Sequence, residues 1–192
     1  MTRDGAIRHE AWRKAFHLST LALPVWMVLA PPPWRLSGLV FAFVFFLAVD
    51  CLRLRWEPFR RLFHLRLGNS LRASENRGLT SSHYLTFTAC VLAWSMPERI
   101  GAAALAMQIV GDAAAAMVGR RYGRVRIGAK SLEGSAACFA GALAAGAVCL
   151  PSQPLALLAG ALAATVVEVL PLRVDDNLSV PLVGAAVLAW LV

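Results

Sequence analysis

The sequence predicts an all-α integral membrane protein, a helical bundle of about seven transmembrane helices with its N-terminus in the cytoplasm. Hydrophobic residues make up 58% of the 192 residues and charged residues 16%, whereas soluble domains hold about 45–50% and about 25%. Long apolar runs recur along the chain, and the net charge of +8 comes from cations that cluster between alternate runs. This composition excludes an intrinsically disordered chain and argues against a water-soluble protein that binds nucleic acid.

Seven apolar runs are the candidates for transmembrane helices. They are residues 15–30, 34–52, 84–97, 100–118, 135–150, 154–172 and 178–192. Several are shorter than the roughly 20 residues that usually cross the hydrocarbon core, so six or seven spans are expected. The first run lacks the small-residue cleavage site of a signal peptide.

The positions of Lys and Arg predict the orientation of the bundle. All 19 of these cations except Arg35 and Arg99 fall at the N-terminus or in alternate gaps between the runs. The positive-inside rule therefore places the N-terminus and the long loops in the cytoplasm. The regular alternation favours seven spans, because a wrong span count would scramble it.

The spans differ in side-chain size. The run at 41–46 is bulky and suits contact with lipid, whereas residues 113–116 and 141–146 consist almost entirely of Ala and Gly. Small residues let helices approach closely inside a bilayer, so the fourth to sixth spans are predicted to form the packed centre. A general compositional bias toward alanine is the alternative.

The basic segment 53–80 is expected to be a cytoplasmic amphipathic loop. Apolar residues recur at helical spacing within it, at Leu52, Trp56, Phe59, Phe63 and Leu67. This spacing predicts a helix lying on the membrane face. A plain loop that only orients the protein is the alternative.

Carboxylates inside or beside the apolar runs are the most informative residues. Asp112, Glu133, Glu168 and Asp176 all lie toward the predicted cytoplasmic half, as does Asp50. A charge inside the hydrocarbon costs at least about 2.5–3.5 kcal/mol, so these acids are candidates for function. Together with nearby cations they suit a polyphosphate bridged by Mg²⁺. Structural ion pairing among these acids and bases is the alternative.

A glycine-containing loop at 119–134 is the candidate nucleotide-binding segment. It contains Gly123, Gly128, Lys130 and Ser131 in the order of a Walker A motif, with one residue too many and after a membrane helix. It is therefore not a P-loop, but glycines, a lysine and a hydroxyl suit phosphate binding.

Two further fragments are accessory candidates. Arg13 and His17 lie one helical turn apart, beside Lys14, and could grip a phosphate or only anchor the helix at the interface. The polar turn 75–84, which begins at Glu75, precedes the third run and could cover the site.

Several short motifs match one family in order and spacing over most of the chain. They are Arg13-Lys14-x-x-His17, the turn 75–84, Gly111-Asp112-Ala113-Ala114, Gly119-Arg120-Arg121-Tyr122-Gly123, Lys130-Ser131-Leu132-Glu133-Gly134-Ser135, Glu168 with Pro171, and Asp176-Asn177-Leu178-Ser179-Val180-Pro181. These motifs resemble the CTP-dependent lipid-alcohol kinases, namely dolichol kinase, phytol kinase and CTP-type diacylglycerol kinase. At 192 residues the chain resembles a minimal catalytic unit of that family.

The resemblance implies transfer of the γ-phosphoryl group of CTP to the hydroxyl of a lipid alcohol, with Mg²⁺, at the cytoplasmic face of the cell membrane. The expected catalytic acids are Asp112, Asp176 and Glu133, and the expected metal ligands are Asp112, Asp176 and Asn177. The expected nucleotide-binding residues are Gly119, Arg120, Arg121, Gly123, Gly128, Lys130, Ser131 and Gly134. Arg13, Lys14, His17, Glu75 and Glu168 are accessory.

Alternative functions remain at this point. Part of the middle motif also resembles phosphatidate cytidylyltransferases, although their long C-terminal signature is missing. Diacylglycerol could be the acceptor, and a small transporter is the non-enzymatic alternative. The whole chain, 1–192, is treated as one membrane-embedded domain with no nucleic-acid partner. The chain length of the acceptor and the oligomeric state are left open.

Overall fold

The computed structural model describes residues 13–68, 71, 73–76 and 78–192 and is mostly helical. The all-α prediction is therefore confirmed. Residues 13–19 form an N-terminal helical segment. In chain order there follow α1 (Ala22–Leu29), α2 (Pro32–Arg55), α3 (Glu57–Leu67), a 3-10 turn (Ala73–Asn76), α4 (Ser81–Ser95), α5 (Glu98–Tyr122), β1 (Arg126–Ile127), β2 (Lys130–Ser131), α6 (Leu132–Cys149), α7 (Pro154–Val169) and α8 (Asp176–Leu191).

In the part of the chain that the structure describes, three helices, α2, α5 and α6, are long and apolar enough to cross a bilayer. Helices α7 and α8 are apolar but shorter, with 16 residues each. The second to seventh predicted runs each coincide with one helix. Four cations that were used to predict the orientation, at positions 3, 8, 72 and 77, lie outside the described residues.

The first apolar run, predicted as a single span, is broken at residues 20–21. Pro24 stands in the first turn of α1 and has no backbone N–H to donate to Thr20, so an unbroken helix would lose a hydrogen bond there. Instead the Thr20 hydroxyl donates to the carbonyl of His17 at 2.5 Å, and the amide of Leu23 donates to the carbonyl of Thr20 at 2.9 Å. The break lets the 13–19 segment and α1 follow different paths.

Helix α5 forms the centre of the bundle, and its most extensive packing is against α6. A Cβ added at Gly111 would lie 3.1 Å from Cys138 Sγ, and one added at Gly141 would lie 3.1 Å from Ala114 Cβ. Since both contacts are already close, the glycines allow the two backbones to approach. The expectation that the Ala- and Gly-rich helices form the packed centre agrees with this packing.

Proline 181 lies inside α8, where it cannot donate to the carbonyl of Asn177. The hydroxyl of the fully buried Thr88 on α4 donates to that carbonyl at 2.9 Å instead. The proline therefore frees an acceptor, and a neighbouring helix satisfies it. This bond fixes the start of α8 against α4.

Replacing Thr88 with the isosteric valine is expected to lower the free energy of unfolding by about 1–3 kcal/mol, since the buried Asn177 carbonyl loses its donor. Thermal unfolding in detergent measures this loss. In a Pro181→Ala background, where the helix can supply its own N–H, the same substitution should cost clearly less. Equal losses in the two backgrounds would contradict the explanation.

Helix α3 forms as the spacing predicts, but its apolar stripe faces the protein. Phe59, Phe63 and Leu67 turn inward, whereas Leu65 is 83% exposed. On the outer face Glu57 pairs with Arg60 and Arg61. The hydrogen bond from Arg61 holds the pKa of the Glu57 carboxyl below its ordinary value.

Candidate active site

A polar cavity of about 350 Å³ opens at one end of the bundle. Its walls come from the N-terminal helical segment, the C-terminal half of α5, the β hairpin, and the facing ends of α6, α7 and α8. The predicted site residues that line this polar cavity are Arg13, Lys14, Asp112, Gly119, Arg120, Lys130, Ser131, Gly134, Glu168 and Asp176. Positions up to 163 residues apart in the sequence thus meet at one place.

The hairpin between α5 and α6 brings Lys130 to the cavity. Residues Ile127 and Lys130 pair in an antiparallel register across a two-residue turn. Gly128 has φ +59° in that turn, a left-handed conformation that glycine adopts without strain. The predicted nucleotide-binding loop is therefore a short hairpin, which the all-α prediction did not include.

Lysine 130 pairs with two acids from two different helices. Its Nζ lies 2.7 Å from Glu168 Oε1 at the end of α7 and 3.4 Å from Asp176 Oδ2 at the start of α8. It also donates to the backbone carbonyl of Glu168. The Glu168 side chain is buried, and about a third of the Lys130 and Asp176 side chains is exposed to the cavity.

A second ion pair lies in the part of the polar cavity wall that the N-terminal helical segment and α5 form. Lys14 Nζ lies 2.5 Å from Asp112 Oδ2, and His17 Nε2 lies 3.4 Å from the same oxygen. Lys14 and His17 thus face a common partner, and that partner is a carboxylate. Lys14 is almost fully buried, and its contact with Asp112 compensates the cost of burying an ammonium group.

Small residues let α5 and α6 meet closely at the cavity wall. A Cβ on Gly119 would lie 3.4 Å from the Cα of Gly134, and one on Gly134 would lie 3.2 Å from the Cα of Gly119. The hydroxyl of Ser131 accepts a hydrogen bond from the amide of Gly134 at 3.2 Å and caps α6. This capping role adds to the phosphate contact that was predicted for Ser131.

Seven predicted site residues do not line the polar cavity. Arg121, Gly123 and Glu133 border a separate surface pocket, Gly128 forms the hairpin turn, Asn177 is buried, and His17 and Glu75 line a second cavity. Glu133 Oε1 accepts hydrogen bonds from the amides of Arg124 and Val125, so the side chain holds the loop that follows α5. Asn177 turns toward Asp175, whose Oδ1 accepts from both its amide and its side chain. Glu133 Oε2 and Asn177 Oδ1 are buried without a hydrogen-bond partner among the described residues, and the roles predicted for the two side chains stay predictions.

An apolar cavity of about 390 Å³ adjoins the polar one. Phenylalanines from α2 and α3 line it, namely Phe45, Phe46, Phe59 and Phe63. Arg13, Lys14 and Asp112 line both cavities, so the two spaces share one wall. Sequence reasoning assigned these phenylalanines to membrane contact and missed the cavity, because helical spacing does not show what an apolar stripe faces.

A buried polar network fixes the wall of the apolar cavity that lies beside α2. The fully buried Arg53 donates to Asp50 Oδ1 at 3.0 Å and to the carbonyls of Glu75 and Gly78 at 2.8 and 2.6 Å. Asp50 Oδ2 accepts from the amide and hydroxyl of Thr80 at 2.9 and 3.0 Å.

Glutamate 75 completes this network. Its Oε1 accepts from the amide of Ser81 at 2.8 Å and from the Ser81 hydroxyl. Its carboxylate therefore organises the polar turn, and the prediction that this turn covers a site agrees with its position beside the apolar cavity.

The donor set of the polar cavity suits a magnesium ion that arrives on a nucleotide. Among the described residues, no three His, Cys, Asp or Glu side chains stand close enough to hold a metal by themselves. Mg²⁺ is commonly held by one or two carboxylates together with substrate phosphates. Asp112 and Asp176 on the cavity wall could supply those carboxylates.

Comparison of the chain with protein-family models, with curated proteins and with solved structures found no match.

Proposed function

We propose that the protein is a CTP-dependent kinase that phosphorylates the hydroxyl of a membrane lipid alcohol at the cytoplasmic face. One observation carries the proposal: a polar cavity lined by lysines, arginines and carboxylates shares a wall with an apolar, aromatic cavity. A triphosphate suits the first space and a hydrocarbon chain suits the second. A hydroxyl on that chain would meet the γ-phosphate at the shared wall.

In this proposal the polar cavity binds the Mg²⁺ complex of the nucleotide. Arg13, Arg120 and Lys130 would neutralise the phosphate oxygens, and Asp176 would hold the metal ion. Lys130 is already held by Glu168 and Asp176 before the substrate arrives. Phosphoryl transfer depends mostly on such positioning and on charge stabilisation, and no covalent nucleophile is needed.

Asp112 is the acid best placed for the acceptor, because it is the carboxylate that borders both cavities. The acceptor oxygen would form a bond to the γ-phosphorus while the bond from that phosphorus to the β–γ bridging oxygen breaks. CDP would leave with the bridging oxygen, and the hydroxyl proton would pass to Asp112. The short pair with Lys14 would hold the Asp112 carboxylate in place.

The proposed topology has all seven apolar runs in the membrane and the polar cavity facing the cytoplasm. The cations Arg120, Arg126 and Lys130 stand at the cavity end of the bundle, whereas Arg35 pairs with Glu98 at the opposite end of α5, at 2.6 Å. This asymmetry supports a cytoplasmic site.

Two labelled forms of CTP test the activity. Membranes that contain the protein are incubated with a pool of lipid alcohols and phosphatidate, and with CTP labelled at either the γ- or the α-phosphate. A kinase transfers only the γ label to lipid and releases CDP. Transfer of the α label with release of pyrophosphate would establish a cytidylyltransferase instead, and transfer of neither would reject both.

The nucleotide base and the acceptor are tested separately. Cytosine is proposed from the motif resemblance, so a panel of ATP, GTP, UTP and CTP at equal concentration tests that choice. Phytol, farnesol, longer polyprenols and diacylglycerol form the acceptor panel. Isoprenoid alcohols are the expected acceptors.

A further inference from the structure

We infer that the apolar cavity is the site of a single hydrocarbon chain of the acceptor, and that Phe46 on α2 limits the length or bulk of the chain that fits. This inference rests on the proposed function, since the chain belongs to the alcohol that the kinase would phosphorylate. It assigns a substrate-selecting role to a residue outside the motifs that carry the family resemblance.

The distribution of polar groups inside the cavity gives it a direction. Lys14 and Asp112 stand at the wall shared with the polar cavity, while Phe46 and Phe63 belong to the aromatic part. The other acids that line the apolar cavity, Asp50 and Glu75, already accept hydrogen bonds from the polar turn. An amphiphile with one polar end would therefore bind with its hydroxyl toward Asp112 and its chain among the phenylalanines. The volume of about 390 Å³ lies at the lower end of the usual range for ligand pockets, about 300–1,000 Å³.

The surroundings favour a lipid chain over a peptide. Helix α3 forms part of the cavity with Phe59 and Phe63, and it exposes Trp56, Leu62 and Leu65 on its outer side. Phe45 on α2 lines the cavity and is also 54% exposed, so apolar side chains stand at the outer edge of the cavity, beside a basic amphipathic helix of the kind that lies in a membrane interface. In the proposed membrane setting, a chain would enter the cavity past these side chains.

The polar turn forms a fixed wall of the apolar cavity. Arg53, Asp50 and Glu75 hold the turn by buried hydrogen bonds, and Arg53 also stands 5.6 Å from the ring of Phe63. With this wall fixed, the size of the cavity depends on the side chains that line it. Phe46 belongs to the lining, takes no part in the network, and can be varied without breaking it.

Photolabelling without nucleotide tests the inference. The purified full-length protein in lipid nanodiscs is mixed with a long-chain alcohol that carries a diazirine at the chain end, and labelled peptides are identified by mass spectrometry. Labelling that unlabelled phytol competes away is expected on the segments that contain Phe46 and Phe59. Competable labelling confined to other, lipid-facing segments would overturn the inference.

A matched pair of variants sharpens the test. Phe46→Trp should fill the cavity and lower competable labelling about tenfold, the scale expected when a close-fitting site is overpacked. Phe41→Trp, on the same helix but 73% exposed, should leave labelling unchanged. Circular dichroism and thermal unfolding verify that both variants fold. Equal labelling of both variants would also overturn the inference.

These outcomes are independent of the proposed reaction. If labelling behaves as expected but no γ label reaches any lipid in the CTP assay, the cavity binds a chain and the kinase proposal fails. If γ transfer occurs while labelling does not depend on Phe46, the kinase stands and the assignment of this cavity is wrong. A preference for shorter acceptors in active Phe46→Trp enzyme would support both.

Discussion

Replacing Asp112 with asparagine is expected to lower γ-phosphoryl transfer by about 10²–10⁴-fold, the usual contribution of a positioned acid or base. The substitution keeps the shape of the side chain but removes the charge that borders both cavities and holds Lys14 at 2.5 Å. Initial rates of label transfer from γ-labelled CTP to phytol, in nanodiscs of fixed composition, measure the effect.

The same change should also lower stability, because Lys14 is only 2% exposed and would lose the carboxylate that it contacts at 2.5 Å. Removing one member of a buried ion pair costs about 3–5 kcal/mol. Adding Lys14→Met should restore part of this stability without restoring transfer, which separates a chemical role from a structural one. Recovery of transfer along with stability would show that Asp112 acts only in folding.

Glu98→Gln is the matched control for Asp112→Asn. Glu98 is also an acid of α5 in a close ion pair, here with Arg35 at 2.6 Å, but it stands at the end of the helix away from both cavities. This variant should transfer phosphate at close to the normal rate. A comparable loss in the control would mean that any disturbed ion pair on α5 impairs the enzyme.

Replacing Asp50 with alanine is expected to lower the free energy of unfolding by about 3–5 kcal/mol, because it leaves a fully buried cation without this carboxylate. Asp50 accepts three hydrogen bonds, one from Arg53 and two from Thr80. The polar turn should detach from α2, so we expect a lower melting temperature in detergent and new protease cleavage within residues 68–80.

Arg55→Ala on the same helix is the control for this loss. Arg55 is exposed and lies two residues beyond Arg53, so its removal takes a cation from the loop without touching the network. It should leave the melting temperature almost unchanged. If Asp50→Ala were equally harmless, the network would not fix the turn.

The positions of the helices could be predicted from the sequence because apolar runs and proline leave local signals. The run at 100–118 became α5, and the small residues of α5 and α6 indicated their close packing. The broken first run is an exception, although Pro24 in its interior is the residue that explains the break.

The candidate site was predictable where neighbours in sequence share a turn, and less so elsewhere. Gly119, Lys130 and Gly134 meet as the motif suggests. The contact of Lys14 with Asp112 spans 98 residues and leaves no local pattern. Glu133 has a contact that the motif does not indicate, since its Oε1 binds the backbone of the preceding loop.

Arg53 illustrates a further limit of reasoning from charge. In the sequence it is one of several arginines that orient the chain, yet it is the largest fully buried side chain of the described residues. The positive-inside rule uses only the number of cations in each loop, so it does not distinguish a buried arginine from a solvated one. Only the placement of the carbonyls of residues 75 and 78 shows why this arginine turns inward.

The position of Lys130 depends on the number of residues in the hairpin. Its two strands pair residue by residue, so one inserted or deleted residue between Ile127 and Lys130 would move the ammonium group away from Glu168 and Asp176. The link between α6 and α7 carries no such register, and Pro151 and Ser152 there are exposed. A fluorescent or affinity tag should therefore be inserted in that link, at the other end of the bundle. The hairpin is the wrong place for it, although its glycines and exposed side chains make it look like a tolerant surface loop.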